Sequence, residues 1–175
     1  SIKDPIEIEL MQKACDITRT GVNRLLKFIK PGVWEHHIEA ELVHEFLMNS
    51  SKGFAYTPIV ASGKNACVLH YIENNQECLA GDVILLDVGA EYANYASDLT
   101  RCIPVSGRFS ERQKDVYNAV LHVKKEAEKL LVPGIMMADY HKQVGHLMEE
   151  QLVNLSLVTL DDIKNQNPDW PAYKK

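Results

Sequence analysis

The sequence predicts a mixed α/β protein of the α+β kind, an antiparallel β-rich centre between two helical stretches. Three observations carry this. Capping-box signals open a helix on either side of the centre, a run of branched apolar residues returns on itself between Val83 and Val105, and the order helix, Pro-Gly, helix occurs twice. At 175 residues and 46% hydrophobic, the chain can bury one sizeable core, and its length favours a single domain.

The elements follow in order. Asp4-Pro5-Ile6-Glu7 joins an N-cap, a proline at the first helical position and a capping-box glutamate. Ile8, Met11, Cys15, Val22, Leu25 and Ile29 then recur at helical spacing and are expected to form the buried stripe. Pro31-Gly32 stops that helix. A second helix carries Ile38, Leu42, Phe46 and Leu47, and strands occupy the chain from Tyr56 to Val105. Ser110-Glu111-Arg112-Gln113 opens a third helix with Val116, Val120, Val123, Ala127 and Leu130 on one face. Pro133-Gly134 stops it, and a fourth helix presents Tyr140, Val144, Leu147, Met148 and Leu152. Pro31 and Pro133 lie 102 positions apart, which suggests a duplicated unit. Asp98 falls 67 residues after Pro31, so its counterpart in the second copy would fall near position 200, past Lys175.

Chemistry concentrates in VILLDVGAEYANYASDLTRCIPV, where Asp87 and Asp98 stand eleven residues apart. A β-hairpin with a two-residue turn at Tyr92-Ala93 sets Glu91 against Asn94 and Asp87 directly opposite Asp98, about 5 Å apart at Cβ. Like charges that close destabilise a hairpin unless a shared proton or a cation offsets them, and a divalent metal is the natural partner. The alternative makes both acids ordinary strand-end residues, and the turn lacks the Asn-Gly or Asp-Gly that would fix the register. Hard or borderline ions favour carboxylate oxygens, so the pair suits Mn²⁺, Co²⁺ or Zn²⁺.

Other polar groups invite weaker readings. His37, Glu41 and His44 share a helix face, which suits either a metal or a solvated surface opposite Ile38, Leu42 and Phe46. The surface is the expectation, as it is for Glu149-Glu150 and the charges from Lys124 to Lys129. His122, His141 and His146 show no ligand spacing. A formal charge of −5 without a basic run argues against nucleic acid or an anionic membrane as partner. Neither a spanning stretch nor a leader is visible, and Cys15, Cys67, Cys78 and Cys102 form no C-x-x-C pair, so reduced thiols and a cytoplasmic location are expected.

An ordered series is more specific than any short motif. Here it comprises Tyr56, Asn65, Leu69-His70-Tyr71, Gly81-Asp82, Asp87-Val88-Gly89-Ala90, Tyr95, Ser97-Asp98, Thr100-Arg101 and Gly107. It resembles the aminopeptidase P and prolidase family, metallopeptidases of the pita-bread fold, with Asn94 and Cys102 as departures where glycine and threonine are common. The resemblance implies the first half of a catalytic domain over 1–108 and the start of a second half over 109–175, truncated before that half is complete. It implies helices on one side of the antiparallel sheet, and a preceding N-terminal domain in longer members. It also implies a dinuclear centre, manganese first with cobalt or zinc as alternatives, in which Asp87 chelates one ion and Asp98 bridges both. The remaining histidine and two glutamates have no matching positions here, so metal binding by this fragment is expected to be weak or absent. His70 is implied as a catalytic hydrogen-bond donor to substrate or the tetrahedral intermediate, and Tyr56 as a tyrosine supporting the metal ligands, although either also fits an ordinary structural role. The implied reaction removes an N-terminal residue from a peptide whose second residue is proline, in a homo-oligomer. Alternatives are a prolidase confined to Xaa-Pro dipeptides and a non-catalytic binding module.

Overall fold

A computed structural model describes residues 2–174. The chain divides into two compact units, the first ending at Phe109 and the second starting at Ser110.

In the first unit, helix α1 spans Pro5–Phe28. The Asp4 N–H donates to Glu7 Oε2 at 2.7 Å, the reciprocal half of the capping box. The buried face of α1 is Ala14, Ile17, Thr18, Gly21 and Leu25. This corrects the expected stripe: Ile8 and Met11 are 57% and 37% exposed, and Cys15 is exposed too. Close helix packing decides the matter. A Cβ at Gly21 would lie 3.0 Å from both Leu42 Cδ2 and Phe46 Cε1, so α1 turns its Gly21 face toward the neighbouring helix, with Ile17 and Leu25 buried beside it and Ile8 and Met11 off that face. That neighbour, α2 (Glu35–Met48), buries Ile38, Leu42 and Phe46 completely, whereas Leu47 points to solvent. Gly32, at φ +91°, makes the intervening turn possible and donates its N–H to Cys78 O at 3.0 Å.

Strands β1 (Ile59–Ser62), β2 (Val83–Val88) and β5 (Leu99–Pro104) form an antiparallel sheet in the order β1-β2-β5. Two short strands, β3 (Glu91–Tyr92) and β4 (Tyr95–Ala96), continue the β2–β5 hairpin to its tip. Burial alternates along β2, so Ile84, Leu86 and Val88 join Val60 and the helical residues Ile17, Leu25, Ile38, Leu42 and Phe46 in one core. Each fully buried side chain of this size is worth about 1.5–3 kcal/mol. The other face of β2 carries Leu85 and Asp87.

The second unit contains α3 (Glu111–Leu130), α4 (Met137–Asn154) and α5 (Leu160–Lys164). Its capping box forms as expected, the Ser110 N–H donating to Gln113 Oε1 at 2.9 Å and the Gln113 N–H to Ser110 Oγ at 3.3 Å. The buried positions of α3 are Ala119 and Ala127, while Val116 and Val120 of the expected face are exposed. Glu149, expected at the surface, is buried: its carboxylate accepts from Gln166 Nε2 at 2.7 Å and lies 3.4 Å from His146 Nδ1. The cause is the chain returning onto α4, where Tyr173 packs so closely that a Cβ at Gly145 would fall 2.5 Å from its ring.

Candidate metal and catalytic site

The hairpin sets the position of both aspartates. Its turn sits at Ala93-Asn94, both left-handed at φ 50° and 68°, one residue later than the sequence indicated. Asparagine tolerates this conformation best among residues with a side chain, which accounts for Asn94 at a place where glycine is common. The later turn moves every cross-strand partner by two residues. Asp87 therefore faces Thr100, not Asp98, and the same register carried past Val88↔Leu99 sets Asp98 across from Gly89. Because side chains alternate with period two, a two-residue shift leaves both acids on the same face, now diagonal.

One phenol joins them. Tyr56 Oη lies 2.7 Å from Asp87 Oδ1 and 3.1 Å from Asp98 Oδ1, within hydrogen-bond reach of both carboxylates. Burial, then the Asp87 hydrogen bond, pushes the Tyr56 phenol far above its ordinary value, so it stays protonated and serves as a donor. The segment bearing Tyr56 is laid along the hairpin by hydrogen bonds from the Ala55 N–H to Gly89 O, 2.8 Å, and from the Glu91 N–H to Gly53 O, 3.0 Å. Gly89 permits this approach. A Cβ there would collide with the Ser97 carbonyl and lie 3.1 Å from Tyr56 Cε1.

Ser97, the residue before Asp98, is fixed from below. Its hydroxyl lies 2.6 Å from Thr18 Oγ1 of α1, and the Ala90 N–H donates to both oxygens, at 2.8 Å to Thr18 and 3.0 Å to Ser97. At the tip, Tyr95 Oη donates to Glu7 Oε1 at 2.8 Å, tying the hairpin to the start of α1; the Asp4 N–H first, and then this phenol, hold the Glu7 carboxyl below its usual range.

His70 is exposed on the first unit, in the segment between the Gly63–Cys67 helical turn and β2. Its backbone is left-handed, φ 55°, a conformation that costs a residue with a side chain on the order of 1–3 kcal/mol unless its surroundings enforce it. The hydrogen bonds that gather Tyr56, Asp87 and Asp98 do not include it.

The segment bearing His70 is gripped by a residue that sequence reading missed. Glu35, at the first position of α2, is fully buried and accepts four hydrogen bonds. They come from the Ser62 N–H at 2.7 Å and Asn65 Nδ2 at 3.3 Å on Oε1, and from Tyr71 Oη at 2.7 Å and the Gln76 N–H at 3.0 Å on Oε2. Burial and this bond push the Tyr71 phenol up to about 12. A signal was present: Glu35 precedes Ile38 and Leu42 at i+3 and i+7, an acid on the core-facing stripe.

The helical trio separates as the surface reading expected. His37 Nδ1 accepts from the Trp34 N–H at 3.3 Å, and Glu41 pairs with Arg24 at 2.5 Å. Among the described residues no group of three or more His, Cys, Asp or Glu side chains is placed to hold a metal. Asp87 and Asp98 fit the oxygen-donor part of a divalent site. Tyr56 occupies one oxygen of each, and two carboxylates sharing one neutral donor favour a cation.

An antiparallel sheet with α1 and α2 on one face and paired aspartates on the other is the arrangement of a pita-bread metallopeptidase. The chain belongs to metallopeptidase family M24, whose profile its residues 9–165 match. It is 41% identical over 160 residues to the Xaa-Pro aminopeptidase of Haemophilus influenzae, covering 91% of this chain and 37% of that one. Among solved structures it is similar to Pseudomonas aeruginosa aminopeptidase PepP, with a TM-score of 0.85 and 39% identity over 89% of this chain and 35% of the other. It is also similar to zinc-substituted Escherichia coli aminopeptidase P in complex with product, at 0.88 and 36% over 94% and 38%. The chain thus spans little more than a third of the length of the relatives it matches.

Proposed function

We propose that this chain supplies the aspartate hairpin of a metal-dependent Xaa-Pro aminopeptidase, an enzyme removing the N-terminal residue from peptides with proline second. The observation that carries the reading is the single Tyr56 hydroxyl within reach of both Asp87 and Asp98, inside a chain of family M24 whose relatives are named for this activity. Residues 1–108 act as the first half of the catalytic domain and 109–175 begin the second.

Asp87 and Asp98 would be the metal ligands contributed here, each offering carboxylate oxygens to divalent ions, with manganese ahead of cobalt or zinc. Such ions lower the pKa of bound water and polarise the scissile carbonyl. Tyr56 holds one oxygen of each aspartate and so fixes how the free oxygens are presented. His70, exposed and displayed by a strained backbone, donates a hydrogen bond to the substrate or tetrahedral intermediate. The partner is a proline-containing peptide, the assembly a homo-oligomer and the compartment the cytoplasm, in keeping with four free cysteines.

The test is hydrolysis of an Xaa-Pro-Xaa tripeptide by the full-length protein with Mn²⁺, beside an Xaa-Ala-Xaa peptide and an Xaa-Pro dipeptide. The tripeptide with proline should be cleaved in preference, and Asp87→Asn and Asp98→Asn should each lose metal and nearly all activity. Cleavage of the dipeptide alone would make the enzyme a prolidase, and full activity in both variants would refute the metal assignment.

A further inference from the structure

We infer that Glu35 is the positioning residue of the His70 segment, a buried side chain at the start of α2 that holds residues 62–76 in the conformation presenting His70. The inference rests on the reading of His70 above but concerns a residue that takes no part in the chemistry itself.

Among the described residues four donors bond the two oxygens of Glu35, which matches the full acceptor capacity of a carboxylate. Their distribution matters more than their number. Ser62 and Asn65 lie before His70, and Tyr71 and Gln76 lie after it, so one side chain pins both ends of the excursion. A fifth contact comes from its backbone, the Glu35 N–H donating to Gln76 O at 2.9 Å. One turn further along α2, Glu39 accepts from Asn74 Nδ2 at 3.0 Å, and Asn74 Oδ1 in turn accepts from the Val60 N–H of β1.

The excursion needs such restraint. Gly63, His70 and Asn74 all take left-handed backbone, at φ 57°, 55° and 45°, and Val68, Leu69 and Ile72 are exposed, so apolar burial at Tyr71 is small support for a segment of this length. The carboxylate bond to Tyr71, the residue next to His70, is the nearest constraint on the histidine's conformation.

Glutamine is the discriminating substitution, because it keeps the shape and removes one acceptor oxygen. If its amide NH₂ takes the place of Oε2, Tyr71 can rotate to accept, but the Gln76 N–H is left facing a donor; in the place of Oε1, it faces Ser62 and Asn65. Two readouts are needed, hydrogen exchange resolved by peptide and steady-state kinetics in the full-length enzyme, with Tyr71→Phe as a second, milder variant.

In folded Glu35→Gln, exchange across residues 62–76 should rise at least tenfold while β2 and β5 keep their protection. Over the same temperatures kcat should fall at least tenfold with KM within about twofold. Tyr71→Phe should move both readouts in the same direction by less. Unchanged exchange in folded Glu35→Gln would overturn the inference, as would faster exchange with wild-type kcat, which would leave Glu35 a purely structural group. If Glu35→Gln does not fold, the Tyr71→Phe result decides by the same criteria. An inactive wild type, or a His70→Ala variant with unchanged kcat, would overturn the catalytic reading of His70, and exchange alone would then decide whether Glu35 holds the segment.

Discussion

Replacing Gly89 with alanine adds one methyl group at the point where the hairpin, Tyr56 and the aspartates converge. The new Cβ would collide with the Ser97 carbonyl and press on Tyr56 Cε1 at 3.1 Å. A backbone oxygen cannot swing aside as a side chain does, so the Ser97 strand must move. Moving it strains the 3.1 Å bond from the Ser97 N–H to Ala90 O and the buried cluster of Thr18, Ala90 and Ser97 hydrogen bonds. Overpacking costs about 1–3 kcal/mol and each lost buried hydrogen bond about 1 kcal/mol, so the expected destabilisation is about 3–5 kcal/mol. Against a typical total of about 5–15 kcal/mol that is a large fraction, and it corresponds to a fall in Tm of about 15 °C or more for a unit of this size. Urea unfolding followed by circular dichroism measures it directly. Because Asp98 follows Ser97, activity should also fall in the fraction that remains folded. A variant within about 0.5 kcal/mol of wild type, the range of an unremarkable surface substitution, would refute the close approach on which this account of the site depends.

Ala93→Gly should stabilise the hairpin by about 0.5–1 kcal/mol, since φ 50° strains alanine and not glycine; an unchanged or lower urea midpoint would argue against the left-handed turn. Tyr71 titrates near 12 when folded and near 10 when unfolded, so the folded state binds its proton more tightly. Its contribution to stability is complete below about pH 10 and is lost as pH rises toward 12, and Tyr71→Phe should flatten that fall in urea midpoints between pH 9 and 11. In the full-length enzyme His70→Ala should lower kcat by about 10²-fold with metal content unchanged, whereas loss of metal would make His70 a ligand. The 175-residue chain by itself should bind Mn²⁺ or Co²⁺ weakly in calorimetry and leave Xaa-Pro peptides intact, because the described residues offer two grouped carboxylates and no third ligand. Tight binding with turnover would overturn that.

What was legible in the sequence was mostly local. The Asp4 and Ser110 capping boxes, the Pro31-Gly32 and Pro133-Gly134 stops and the inward set Ile38, Leu42 and Phe46 all depend on neighbours within a turn or two. The shared face of Asp87 and Asp98 was legible for a different reason: placing the turn one residue early shifts partners by two, and parity survives such an error. What failed depended on distant contacts. The buried side of α1 is chosen by how closely α2 approaches Gly21, and Glu149 is buried by a segment that returns from beyond α5. Glu35 could have been noticed as an acid on an apolar stripe, but its four partners lie 27 to 41 residues away and leave no local trace.

The unbroken register of the hairpin has a consequence for tolerance to insertion and deletion. From Val83↔Pro104 to Tyr92↔Tyr95 the two strands keep one register, so the site is built partway along a ribbon that ends in the Ala93-Asn94 turn, just past the Tyr95 tie to Glu7. Residues added between Tyr92 and Tyr95 lengthen the tip and leave Asp87 and Asp98 as they are. One residue added between Val88 and Tyr92, or between Tyr95 and Asp98, turns an aspartate toward the core instead, unless a bulge absorbs it. The spacing of eleven is therefore not itself the constraint. A reporter peptide grafted at Ala93-Asn94 should be carried without disturbing the aspartates, while a single inserted alanine four residues nearer the site should separate them.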